Sequence, residues 1–463
     1  MTTAFLMMVV TILLQLALGL ATSMRLRVRL PVVQLLSVSL LLGMFLHTVL
    51  VFLIELAGIY LTRGSVLGVA ALAAVALQFP AKGLGAAYRS MVEPGAWSPR
   101  LYDVVTIAVG CYLMFISVWA AYYWPVTPFD AMAGIDLVAR TAVMEGHLNN
   151  SIYTEPLLAG KLSNQPFYAP FAMIMQVVYR LIGFPFGQMW LPVLSIAFLA
   201  FMFDMLRQRL HGVIAGLLFI LLVSIPELYG YSFLVQTDYL NAVFFGIGGL
   251  MMIDAIRRSS QPSLWLAALM LAGACWSRTE TVFIVIAAVL SMTPWLTRSF
   301  DRKVAFRGIA VVIGLSLLSF ALWHVLYFRL FLPVHPQTAA EITGFDGARF
   351  LAVTSETISD VFGDIGLWGL IWIIGGAVIA GQAIGRAAKK TSFGDVLPVI
   401  WMVVTVVALL FVGTMFQSAI VSQTIRRGLF KLFPFMFFYL TTAPVLRMLS
   451  ERITRWETRR ASS

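Results

Sequence analysis

The sequence predicts an all-α polytopic membrane protein of about 13 transmembrane helices, with an extracytoplasmic loop that carries short interfacial helices. Three observations predict it. Hydrophobic residues make up 60% of the 463-residue chain and charged residues only 11%. Mean hydropathy is +0.91, and so apolar a chain cannot clothe a soluble globule of this length in polar surface. Runs of roughly 17 to 25 apolar residues recur along the chain, each long enough to cross a hydrocarbon layer.

These runs lie near 3-22, 31-54, 64-80, 102-124, 188-206, 213-229, 238-256, 262-276, 281-296, 305-325, 367-386, 394-414 and 429-446. The first lacks a basic segment before it and a convincing cleavage site after it, so it is expected to be a retained span. A further run, 167-184, is broken by Pro166, Pro170, Gly183 and Pro185, and it reads as an interfacial or half-inserted helix. Cys111 and Cys275 both fall inside apolar runs, which argues against a disulfide framework.

Orientation follows from the Lys and Arg residues in short loops. One side collects Arg25, Arg27 and Arg29, then Lys82, Arg89 and Arg100, Arg207 and Arg209, Arg257 and Arg258. Arg298, Arg302, Lys303, Arg386, Lys389, Lys390 and the basic tail from Arg447 to Arg460 fall on the same side, which is therefore expected to be cytoplasmic. Making 167-184 a full span would scatter these clusters over both faces. The net charge of +11 then reflects loop anchors beside anionic lipid, and no nucleic-acid partner is expected.

The outward polar segments hold the candidate chemistry. Asp130 follows Pro125 and Pro128 at the exit of a span, where it reads either as a helix cap or as a catalytic carboxylate tuned by the low-dielectric wall beside it. Asp136 is the second candidate, and Arg140, four residues on, is its expected partner on a shared helix face. Asp238 opens a span and reads as a cap or as a site residue. Arg278, between two apolar runs, reads as an interfacial anchor or a partner of Glu280, or as a cation that calls for an anionic ligand or a carboxylate such as Asp238. Arg426 and Arg427, with Lys431 nearby, are the strongest charge anomaly on a side that should be poor in cations; guanidinium groups grip phosphate in a bidentate way, and snorkelling to headgroups is the plainer alternative. His335 and Asp346 are candidates for acceptor contacts or for a metal. No His, Cys, Asp or Glu set has metal-ligand spacing, so neither metal nor cofactor is expected.

The order of these features resembles the GT-C superfamily of integral-membrane glycosyltransferases, in the branch of the protein O-mannosyltransferases and aminoarabinose transferases. Phe129-Asp130-Ala131 is similar to the acidic pair that opens that family's first outer loop, with Ala131 in place of the second acid. Asn164-Gln165-Pro166-Phe167-Tyr168 resembles a later proline-containing segment, Thr237-Asp238 the start of a span, and Trp276-Ser277-Arg278-Thr279 a turn that usually carries lysine. Arg426 and Arg427 ahead of Pro434 resemble the basic residue before a final span.

The resemblance implies a GT-C-like catalytic module over 101-446, with outer loops at 125-187 and 328-366. N-terminal spans of unexplained role over 1-100 precede it and a basic cytoplasmic tail over 447-463 follows. It implies an inverting transferase that draws a polyprenyl-phosphate-linked sugar and passes it to a lipid, glycan or protein acceptor, in a bacterial inner membrane with the site facing outward. Asp130, with Asp136 as the alternative, would be the general base; Arg278, Arg426 and Arg427 would hold the donor phosphate; and Asp238, His335 and Asp346 would support the acceptor side. A transporter or flippase of lipid-linked cargo, or a polysaccharide polymerase or ligase, is the rival expectation.

Overall fold

Glycines set how the first two long helices meet. Helices α1 (Thr2–Leu26) and α2 (Val32–Leu56) are 25 residues each, about 37 Å, enough to cross a bilayer core. A Cβ at Gly19 would stand 1.7 Å from the Ser39 carbonyl oxygen, and one at Gly43 1.7 Å from that of Gln15. The two backbones therefore touch, as small residues allow where lipid supplies no hydrophobic drive for helices to associate. His47 on α2 bonds the Gln15 side chain at 3.2 Å and, with its other ring nitrogen, the Val66 carbonyl at 3.0 Å on α3 (Arg63–Gln78). This computed structural model describes residues 2–78, 84–95, 98–155, 167–331, 344–387, 395–415 and 421–462.

After α4 (Leu84–Met91), the strand pair β1 (Leu30–Pro31) and β2 (Val92–Glu93) is the only sheet among the described residues. Helix α5 (Leu101–Tyr123) then rises to the long polar segment, which folds as a π turn at Ala131–Ile135 followed by α6 (Asp136–Glu145), α7 (Ser151–Thr154) and α8 (Pro170–Leu181). At 12 residues α8 is about 18 Å long, too short to span. Its residues from Pro170 to Tyr179 are all buried, so the short helix expected to be interfacial or half-inserted is enclosed by α6, α2 and α13.

Helices α9 (Trp190–Arg207), α10 (Gly212–Val223), α11 (Pro226–Gly230), α12 (Thr237–Arg258), α13 (Gln261–Ser277), α14 (Thr281–Ser299) and α15 (Arg302–Ala321) follow, and α15 runs through a π turn at Leu322–Tyr327 into α16 (Phe328–Phe331). Next come α17 (Gly347–Gly363), α18 (Ile365–Trp368), α19 (Ile371–Ala387) and α20 (Val396–Met415). The last membrane segment is broken: a π turn at Val421–Ile425, α21 (Arg426–Gly428), a 3-10 turn at Leu429–Leu432, and α22 (Phe433–Thr442), which bends by 57° into α23 (Pro444–Ser462).

Among the described residues eight helices are long and apolar enough to cross a membrane, nine if the bent pair counts as one, and α3, α10 and α19 are shorter apolar helices. The expectation of about 13 spans is thus met only as a polytopic helical bundle. Burial separates helices that composition cannot. The spanning window of α12 is 94% buried and that of α9 89%, against 28% for α1 and α15. Helices α12 and α9 form the core, and the outer ones present the same kinds of apolar side chain outward.

Charged pairs sort to the two ends of the bundle. At one end Arg207 holds Asp103 at 2.6 Å, Arg258 holds Glu93, Arg257 pairs with Asp395, and His211 stands 3.0 Å from Glu457 of α23. At the other end, four chain breaks separated widely in sequence come together. The N-terminal helices belong to this same body. Trp276 donates to Thr48 at 3.1 Å, and Glu55, at the end of α2, accepts from the backbone N–H groups of Leu148 and Asn149 at 2.9 and 3.0 Å. The early helices, whose role the sequence left unexplained, thus clamp the loop after α5.

Candidate functional site

Pro125 and Pro128 stop α5 from continuing, because neither can donate a helical hydrogen bond. The chain restarts at once, with the N–H groups of Ala131 and Met132 bonded to the Pro128 carbonyl at 3.0 and 2.9 Å. Asp130 sits inside this restart with helical dihedrals and makes no capping bond. Its carboxylate turns away from its own backbone. Oδ2 lies 3.2 Å from Arg427 Nη1 and accepts from the Gln236 amide at 3.4 Å.

Arg427 also reaches Asp238, with Nη1 3.6 Å from Oδ2, and donates from Nε to the Gln423 carbonyl at 2.7 Å. The other oxygen of Asp238 is held by Arg278, which pairs in turn with Glu280. The charges alternate along this path: Asp130, Arg427, Asp238, Arg278, Glu280. Lys431, on the turn that follows Arg427, comes next, close enough for its charge to act on Glu280. Three carboxylates thus face three cations where α5, α12, α13, α14 and the broken last helix meet.

Helix ends explain why this site tolerates buried charge. Asp238 is in the first turn of α12, two residues past the cap position held by Gln236, while Arg278 follows the last residue of α13. The acid stands at a positive helix end and the base at a negative one, so each dipole supports the pair. Asn241 locks the two helices together, donating to the Ala274 carbonyl at 2.7 Å and to Ser277 Oγ at 2.9 Å, and accepting from Thr281 at 3.2 Å. Asp238 itself is 1% exposed, so its two arginines are what make its burial tolerable.

Burial pushes the Glu280 carboxyl up, but Arg278 and then Lys431 outweigh that effect and hold it below its ordinary 4.5. Burial pushes the phenols of Tyr168 and Tyr231 up. Tyr168 feels the charges of Asp130, Arg278, Arg427 and Glu280, and Tyr231 that of Arg427, so both border the site. His324 lies alongside, its Nε2 2.6 Å from Thr279 Oγ1.

Asp130, Asp238, Arg278 and Arg427 are therefore brought together, and the other candidates are not. Asp136 lies elsewhere, 4% exposed, and its leading partner is Arg180 on α8 at 2.6 Å, with the Gln176 amide at 2.9 Å; the expected partner Arg140 is at 3.4 Å. Arg426 faces Glu227 at 3.6 Å, where burial raises the Glu227 carboxyl and Arg426 opposes that rise. Asp346 is exposed and caps α17 through the Ala348 N–H at 2.9 Å. His335 lies outside the described residues, as do Asn164, Gln165 and Pro166. The capping alternative fails for both Asp130 and Asp238, because neither side chain closes its own helix.

At the opposite end of the bundle lies a cavity of about 350 Å³, bordered by Arg100, Tyr102, Arg207 and His211. Its most buried cation, Arg207, is engaged by both oxygens of Asp103, at 2.6 and 3.1 Å, which leaves little for a ligand. The alternating charges at the far end are the stronger basis for a function, and no protein-family model, curated protein or solved structure matches this chain.

Proposed function

We propose that the chain is an inverting glycosyltransferase that moves a sugar from a polyprenyl-phosphate carrier to a hydroxyl of a lipid, glycan or protein acceptor, at the extracytoplasmic face of the membrane. The observation that carries this reading is the contact of Asp130 with Arg427, 3.2 Å apart at the rim of a bundle whose other end gathers the basic loops. A carboxylate beside phosphate-binding guanidinium groups supplies the two things the transfer needs.

Asp130 takes the proton of the acceptor hydroxyl, and the oxygen attacks the anomeric carbon of the sugar. The bond from that carbon to the carrier phosphate breaks, and its electron pair leaves with the phosphate. Arg427 and Arg278 hold the phosphate and stabilise the charge that grows on it. Both arginines are engaged by carboxylates. The donor phosphate must compete for them, and Arg427 frees Asp130 as it turns to the phosphate. Low-dielectric walls make each of these charge contacts stronger than it would be in water.

The test is transfer from polyprenyl-phosphate sugars by the purified protein in nanodiscs. Asp130→Asn is expected to lower transfer by about 10²-fold or more while folding is unchanged. A fully active Asp130→Asn protein would remove this residue from the chemistry. Transport of the same lipid-linked cargo is the second reading, favoured by the broken helix 421–442 with a fully buried lysine inside it. Movement of a labelled carrier lipid across proteoliposomes without acceptor, at a rate unaffected by Asp130→Asn, would favour it.

A further inference from the structure

Lys431 has no settled place in the site. Its side chain is completely buried, and its Nζ has no hydrogen-bond partner among the described residues. Burying an ammonium without a partner is costly, so a position that keeps one calls for a use. The residue sits on the 3-10 turn Leu429–Leu432, which packs against α12 and continues directly from the turn bearing Arg427.

The two arginines are each shared. Arg278 serves both Asp238 and Glu280, and Arg427 serves both Asp130 and Asp238. An arriving phosphate claims the same N–H groups. If Arg278 turns to it, Asp238 can keep a contact with Arg427, but Glu280 loses the only ion-pair partner it has among the described residues. A carboxylate left bare beside a phosphate opposes binding of that phosphate. Lys431 is the one cation of the group whose donors are uncommitted.

We propose that Lys431 is a positioning residue that takes Glu280 over from Arg278 when Arg278 turns to the phosphate of a carrier lipid. This rests on the reading that the site binds a phosphate-bearing lipid. The charge of Lys431 already acts on Glu280, and Glu280 keeps a cationic partner through the exchange. Lys431 never touches the phosphate; it lowers the cost of releasing Arg278.

The experiment measures binding of farnesyl phosphate, with uncharged farnesol as control, to the full chain in nanodiscs. Lys431→Met is expected to weaken farnesyl phosphate by about 10-fold or more and to leave farnesol unchanged. In a Glu280→Gln background the same substitution is expected to cost less than about 3-fold, because no charge remains to be taken over. Lys431→Arg, which can also pair with Glu280, is expected to stay within about 3-fold of wild type and carries the comparison if Lys431→Met does not fold. Equal losses with and without the Glu280 charge, or a Lys431→Arg protein as weak as Lys431→Met, would overturn the proposal. Wild-type protein that binds farnesyl phosphate no better than farnesol would instead overturn the phosphate-site reading, and the proposal with it.

Discussion

Arg427 Nη1 lies 3.2 Å from Asp130 Oδ2, joining residues 297 positions apart in the chain. This contact fastens the first polar segment to the start of the last membrane helix. Both side chains are mostly covered, at 16% and 18% exposure, so removing one leaves the other poorly compensated. Because the pair acts as a unit, the losses are expected to be non-additive. Asp130→Asn and Arg427→Gln should each lower transfer by about 10²-fold or more, and the double variant should fall little below the worse single one. Turnover of the four proteins with one donor checks this; losses that multiply would mean two independent roles.

Asp136 is expected to behave as a structural residue. Its carboxylate is held by Arg180 at 2.6 Å, by Gln176 and, more loosely, by Arg140, and it ties α6 to α8. Asp136→Asn strands a largely buried guanidinium and is expected to cost about 3 kcal/mol of stability. Activity per folded molecule should stay within about 3-fold of wild type. Thermal unfolding in detergent beside specific activity separates the cases. A stable but inactive variant would return Asp136 to the chemistry.

Glu280 gives the fold an acid-sensitive contact. Its pKa in the folded protein lies below the ordinary 4.5, held down by Arg278 and Lys431 against the effect of burial. For a carboxyl with a depressed folded value, the stabilisation is present above the unfolded value and is lost as pH falls through the folded one. The loss is therefore expected below about pH 4.5 and not near neutrality. A Glu280→Gln protein should show a shallower decline in Tm over that acid range than wild type. Identical declines would mean that other carboxylates govern acid unfolding.

The parts of the site that were legible in the sequence were those whose cost is local. Asp130, Asp238 and Arg278 stand where apolar runs end or begin and a charge is expensive, so the sequence alone marks them. Partners are another matter. Asp136 has Arg140 four residues away, and no pattern in the sequence points to Arg180 on a helix 44 positions on. Arg426 and Arg427 could not be told apart, because the helix carrying them passes through π, α and 3-10 turns that reset which face each occupies. Lys431 read only as part of the charge anomaly with Arg426 and Arg427, since only packing reveals that its amine is sealed off. The polytopic helical class was plain from composition, whereas the number of spans was not, because apolar runs also form helices such as α3, α10 and α19 that are shorter than a span.

Geometry, independent of charge, is tested at Gly246. A Cβ there would meet the Pro434 ring at 2.3 and 2.7 Å, and a ring fixed to its own backbone cannot step aside. Gly246→Ala must therefore push α22 away from α12. Those helices carry the two sides of the site: Asp238 lies upstream on α12, and Arg427 upstream of α22 in the same broken helix. A displacement of about 1 Å between reacting groups is enough to cost about 10²-fold in rate. Gly246→Ala is expected to lower kcat by about 10- to 100-fold with every charged residue intact. Gly381→Ala is the matched control, since a Cβ at that helical position meets nothing within 4 Å, and it should leave kcat unchanged and raise stability by about 0.5 kcal/mol. Turnover and Tm of the two variants decide it. A normal kcat in Gly246→Ala would mean that the distance between α12 and the last helix does not set the Asp238–Arg427 geometry, and that the site is held from the α13 side by Asn241 alone.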